Sequence, residues 1–156
     1  MLRSGEDGFV LSSEWNQTLI SGNTSAMNRG SGFVLDFNDS GFGSAIQIRN
    51  NIAFGNGGWG MTWSRPELPT IGCNDWFGNR LGAVSGALAG ATDFMVDPQF
   101  CDIDADDVSL LESSPLIDGQ GCGQIGARGQ GCATTPALAA LLRARAEPDG
   151  IRIEWQ

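Results

Sequence analysis

Apolar residues in this chain recur two apart, in short runs that glycine and asparagine interrupt. Ile46 and Ile48 alternate with Gln47 and Arg49; Asn50 and Asn51 follow; Ile52 to Phe54 resume the apolar run, and Gly55-Asn56 ends it. A period of two predicts strands with the isoleucines facing inward and Gln47 and Arg49 facing outward. Asparagine suits neither a helix nor an ordinary strand, so its place inside apolar runs needs a cause.

Repetition supplies that cause. "ISGNTSAMN" (20–28), "IRNNIAFGN" (48–56) and "IGCNDWFGN" (71–79) superimpose Ile20, Ile48 and Ile71, then Asn23, Asn51 and Asn74, then Asn28, Asn56 and Asn79. A second anchor recurs independently: "GFVL" at 8–11, "GFVL" at 32–35 and "GMTW" at 60–63. The glycine steps are 24 and 28 residues and the isoleucine steps 28 and 23. Fixed anchors at variable spacing predict stacked strands joined by loops of unequal length. The signature of leucine-rich repeats is missing, and the glycines and asparagines break the periodicity that helical repeats need. A β-sandwich with coincidental internal similarity is the competing architecture. The pattern predicts an all-β fold: a right-handed, single-stranded parallel β-helix of few rungs with a C-terminal closing segment. Equivalent residues then stack about 4.8 Å apart. A turn asparagine can adopt the left-handed conformation, and its amide can bond to the amides above and below it.

Composition narrows the partners. The 156 residues include 23 glycines and only 17% charged residues, which suits strands and turns. The formal charge of -9 disfavours nucleic acid. No apolar run reaches the roughly 20 residues of a membrane span, and "MLRSGEDGFV" lacks the apolar core of a secretory signal. Cys73, Cys101, Cys122 and Cys132 form no Cys-x-x-Cys pair, and no histidine is present to complete a mixed zinc site. They read as two disulfides, hence an extracellular or cell-surface setting, with the export signal expected in a preceding part of a longer protein.

Beyond the rungs, "DPQFCDIDADDVSLLESSPLIDGQGCGQIGARGQGC" (97–132) resembles the closing segment of bacterial right-handed β-helix repeat proteins of the pectate-lyase-like superfamily. Asp97-Pro98-Gln99-Phe100, the acidic turn Asp102 to Asp107, Leu110, Ser114-Pro115-Leu116-Ile117-Asp118 and Ile125-Gly126-Ala127 carry the likeness. The motif is informative about architecture and nearly silent about substrate. Related sequences often have a cysteine at the place of Leu116; with it absent, the preferred pairing of the three available is Cys122 with Cys132 and Cys73 with Cys101. The resemblance also implies a fibronectin-like or FlgD-type immunoglobulin-like domain after the β-helix. The expected organisation is a β-helix over 1–132, a linker with helical character over 133–148, and the first strand of that domain over 149–156. Both ends read as cut.

Candidate chemistry is sparse. Without histidine, Ser-His-Asp and Cys-His catalysis are excluded. Asp36, Asp39 and Arg49 are the catalytic candidates, since lyases of this fold use rung-borne acids to hold calcium and an arginine as base; exposed turn carboxylates beside an outward arginine are the plainer reading. Trp59 and Trp63 are candidates for stacking on sugar rings, against a packing role for Phe54 and Phe77. Asp102, Asp104, Asp106 and Asp107 are the candidate metal ligands, with Ca2+ the candidate ion, although the glycine and distal glutamate of an EF-hand are missing. The expected function is a non-catalytic, structural and carbohydrate-contacting part of a secreted or surface β-helix protein. The alternative is a fragment of a polysaccharide lyase or glycoside hydrolase acting on acidic polysaccharide. Solenoid ends expose unpaired backbone, so an uncapped amino-terminal rung predicts self-association.

Overall fold

The computed structural model describes residues 1–12, 18–36, 46–65 and 67–133, together with the backbone of 143–147 and 150–154. It is nearly all β, with parallel sheets stacked as a β-solenoid of about 5 turns. Each full turn gives one strand to each of three faces. The first face is β1 (Phe9–Ser12), β4 (Phe33–Asp36), β7 (Trp59–Trp63) and β9 (Gly82–Ser85). The second is β2 (Thr18–Ser21), β5 (Ile46–Arg49) and β8 (Thr70–Gly72). The third is β3 (Thr24–Ala26) and β6 (Ile52–Phe54), prolonged by the bridges Leu2↔Ala26, Ile52↔Asp75 and Asp75↔Phe94.

Both sequence anchors are register marks. Ile20, Ile48 and Ile71 are paired in one parallel ladder, and Phe33 lies opposite Met61, which lies opposite Val84, in another. The glycine that opens each "GFVL" is required by the neighbouring turn. A Cβ on Gly8 would lie 2.7 Å from Gly32 O, on Gly32 2.7 Å from Gly60 O, and on Gly60 2.6 Å from Ala83 O. Any larger residue would push successive turns apart. Inside the coil, Ile20, Phe33, Leu35, Ile46, Ile48 and Met61 form the main core with Trp63 and Trp76. Phe33 links its layers, stacking on Phe9 at 5.5 Å and meeting Trp76 edge-on at 6.4 Å.

The closing segment takes an unexpected path. It consists of β10 (Phe100–Asp102), a 3-10 turn (Ile103–Ala105), β11 (Asp107–Leu111) and β12 (Gln130–Cys132), with β10 antiparallel and β12 parallel to β11. It does not sit across the end of the solenoid but runs back along the third face. Gly126 N donates to Asn50 O, and Ala127 N to the Thr24 hydroxyl. Arg3 reaches Asp106 and Ile103 O across about a hundred residues of sequence. A second core forms beneath this arm, from Ile52, Leu110, Leu116 and Ile125 with Phe54, Phe94 and Phe100 packed against them. Alternation on β6 explains the division: Ala53 faces the inner core while Ile52 and Phe54 face the arm.

Past residue 133, β13 (Arg143–Glu147) and β14 (Gly150–Glu154) form an antiparallel pair with Arg143 opposite Glu154. Within the stretch read as a helical linker, Arg143–Glu147 is therefore a strand, paired with Gly150–Glu154, while 134–142 and 148 lie outside the described residues.

Candidate functional site

The corners of the coil organise everything that follows. The residue before each ladder asparagine holds a left-handed backbone: Gly22, Asn50 and Cys73 at one corner (φ 67, 56 and 60) and Met27, Gly55 and Gly78 at the other (φ 57, 60 and 71). The ladder asparagines have no such strain, contrary to the expectation that they would supply the left-handed turn. The sharp bend belongs to the residue before, and it aims the next side chain along the coil axis.

In the first ladder the Asn23 side-chain amide donates to Asn51 Oδ1 at 3.0 Å, and Asn51 donates to Asn74 Oδ1 at 2.9 Å. In the second, Asn28 donates to Asn56 Oδ1 and Asn56 to Asn79 Oδ1, each at 2.8 Å. The backbone N–H of each of these donating asparagines points to the same oxygen, so one acceptor receives two donors from the turn before it. The remaining amide proton goes to a carbonyl, or in Asn28 to the Ser25 hydroxyl; Asn51, for example, reaches Ile20 O and Arg49 O at 2.9 Å each. Asn51 and Asn74 are fully buried at no hydrogen-bonding deficit.

The first ladder extends one step beyond the repeats visible in the sequence. Asp93 takes the next position, accepting from Asn74 N at 2.9 Å and Asn74 Nδ2 at 3.1 Å on Oδ1, and from Trp76 Nε1 and Gly90 N on Oδ2. A carboxylate accepts without donating, so it ends the ladder. The signal was present: "GATD" (90–93) aligns with "IGCN" (71–74), but the spacing to Asn74 had contracted to 19 residues.

The arm is fastened to the first corner. Asn50 Nδ2 donates to Cys122 O at 2.8 Å and Gln124 O at 3.0 Å. Cys73, in the same column, is joined to Cys122, and Cys101 to Cys132. The preferred pairing of Cys73 with Cys101 and Cys122 with Cys132 is thereby corrected: the arm doubles back and brings Cys122 beside the corner. Under this seam Asp75 is wholly buried. Its Oδ1 accepts from Val96 N at 3.0 Å, and its Oδ2 makes no close hydrogen bond among the described residues. Burial pushes its pKa up from 3.8 to about 7; the N–H groups of Val96 and Phe77 oppose that push, and the nearby carboxylates of Asp97 and Asp93 add to it.

The candidate residues from the sequence are dispersed. Asp36, exposed at the end of β4, accepts a 2.7 Å hydrogen bond from Ser64. Arg49 projects from β5 on a different face, and Asp39 lies outside the described residues. Arg49 lines a shallow groove of about 250 Å³ with Gln47, Thr70 and Thr92. Trp63 is 4% exposed in the main core, its indole N–H donating to Glu67 O, so it presents no ring to solvent. Trp59 is half-buried, its ring against Gly82. No tryptophan platform forms from the pair. Phe54 and Phe77 stack at 6.2 Å.

The acidic turn is engaged within the chain. Asp102 Oδ1 caps the 3-10 turn by accepting from Ala105 N, and Asp107 Oδ1 accepts from Ser109 N, which lowers the Asp107 pKa. Asp104 and Asp106 face Arg3 at 3.4 and 2.8 Å. Among the described residues no group of three or more acidic, histidine or cysteine side chains is placed to hold a metal ion. Comparison with family models, curated proteins and solved structures returned no match, so the likeness of the closing segment rests on its motifs alone.

Proposed function

We propose that the chain is a non-catalytic structural module of an extracellular or cell-surface β-helix protein, and that it contacts carbohydrate through the outer face of β5 and β8. The observation that carries this reading is the separation of Asp36 from Arg49 onto different faces of the coil. A β-eliminating lyase needs its arginine and its cation-holding acids around one uronate. What Arg49 has beside it instead is Gln47, Thr70 and Thr92, neutral hydrogen-bonding groups in an open groove. That set suits holding a carboxylate and hydroxyls. Two disulfides support an oxidising setting. Among the described residues no helix is long and apolar enough to cross a membrane.

The test pairs affinity electrophoresis through polygalacturonate with absorbance of unsaturated ends. The expected result is retardation without depolymerisation, with retardation weakened several-fold by Arg49→Ala. Release of unsaturated products would replace this reading with the lyase alternative.

A further inference from the structure

The two ends of the first ladder differ in chemistry. At the carboxyl end Asp93 closes it. At the amino end the Oδ1 of Asn23 receives no donor among the described residues, although every later Oδ1 in the column receives two. The donors of Asn23 are all committed: its N–H and one amide proton to Asn51 Oδ1, the other amide proton to Ser21 O. The second ladder is not open in this way, since Ser4 N donates to Asn28 Oδ1 at 2.8 Å.

The surrounding surface is unfinished in the same place. β2 is the edge of its sheet, and among the described residues nothing pairs with its outer side. A cavity of about 300 Å³ opens there onto the main core, lined by Phe9, Leu11, Ile20, Asn23, Phe33 and Leu35. Leu19 is 55% exposed and Val10 63%.

We propose that this edge is a docking surface for one further parallel turn of β-coil. Its occupant is an extended segment with apolar residues two apart and an asparagine three positions after the second of them, the arrangement of Ile46, Ile48 and Asn51. Continuity with the sheet β2–β5–β8 fixes its direction, and the waiting acceptor fixes its chemistry: it must donate. A second copy of this chain does not meet that demand. Edge to edge, it would offer an Asn23 whose donors are spent; end to end, it would offer Asp93, which only accepts. The polarity of the ladder thus argues against the self-association that an uncapped end would otherwise suggest. Beside this edge the Met1 amino group donates to Thr24 O at 2.8 Å. The inference is independent of any carbohydrate contact.

The test fuses a copy of Ile46–Ile52 directly ahead of Met1, which sets the second asparagine of the copy over Asn23. Residue-resolved amide exchange is compared with the unextended chain and with an extension carrying aspartate for that asparagine. The expected result is at least tenfold slower exchange across Thr18–Ser21 with the asparagine extension, little change with the aspartate one, and a monomeric unextended chain in sedimentation. Equal protection by both extensions, protection by neither, or a dimer of the unextended chain that itself protects β2 would overturn the proposal.

Discussion

The inner core and the seam under the arm solve the same problem by opposite means. Inside the coil, polar groups are buried in identical copies, and each copy satisfies the next. Asn51 is fully buried, yet every donor and acceptor on it is used. Under the arm nothing repeats. The contacts there are single ones: the Asn50 hook on Cys122 O and Gln124 O, the Thr24 hydroxyl on Ala127, the Arg3 clasp and the Cys73–Cys122 disulfide, with Cys101–Cys132 tying the arm to itself. One buried carboxyl oxygen there, on Asp75, makes no close hydrogen bond among the described residues. Repetition satisfies every copy but the first, whereas a one-off interface has to secure each group separately.

The most severe way to break that contrast is to reduce both disulfides. They bridge residues 49 and 31 apart, and by loop-closure entropy each contributes about 4 kcal/mol. Reduction is expected to free the arm first. Amides of Leu110 and Ile125 should lose exchange protection while those of Ile46–Arg49 keep it; simultaneous loss would show that the two cores are one cooperative unit.

Asp75 sharpens the contrast through pH. Its proton leaves near 3.8 in the unfolded chain and near 7 in the folded one. The stability from this group is therefore full below 3.8 and declines as the pH rises toward 7, by about 4 kcal/mol at most. Asp75→Asn should flatten the slope of unfolding free energy over that window and be more stable than the parent at pH 8. Parallel pH profiles in urea titrations for the two proteins would refute the account. The smallest effect expected is that of Asn51→Ala, which strips Asn23 of its acceptor, Ile20 O of the amide donor, and Asn74 Oδ1 of one of its two donors. A loss of about 3 kcal/mol is expected, read as a lower urea midpoint with unchanged slope. A loss no larger than that of an exposed substitution such as Gln47→Ala would mean that the ladder contributes little.

The inner coil was legible because its rule is local: residues that stack on each other look alike, so Asn23, Asn51 and Asn74 announce their own contact. Asp93 was harder, since the repeat had shortened and the residue had changed to suit the end of a row. The orientation of Trp63 was legible in principle. It shares parity with Met61 in "WGMTW", so the strand that turns one inward turns the other inward too. The disulfide pairing and the course of the arm were not legible. Leu116 and Ile125 meet Ile52 only once, and a contact made once leaves no internal echo to align. The acidic run looked like a cation loop because composition shows charge but not the arginine a hundred positions earlier that answers it.

The left-handed corner has one last consequence. Gly22, Asn50 and Cys73 occupy equivalent places, and the bend asks only for a backbone shape, not for any particular side chain. Such a row is a set of interchangeable mounting points. Cysteine there gives a covalent rivet to the arm, asparagine a polar clip, and glycine a blank, so a tether could be moved up or down the solenoid by exchanging corner residues while the stack beneath stays as it is.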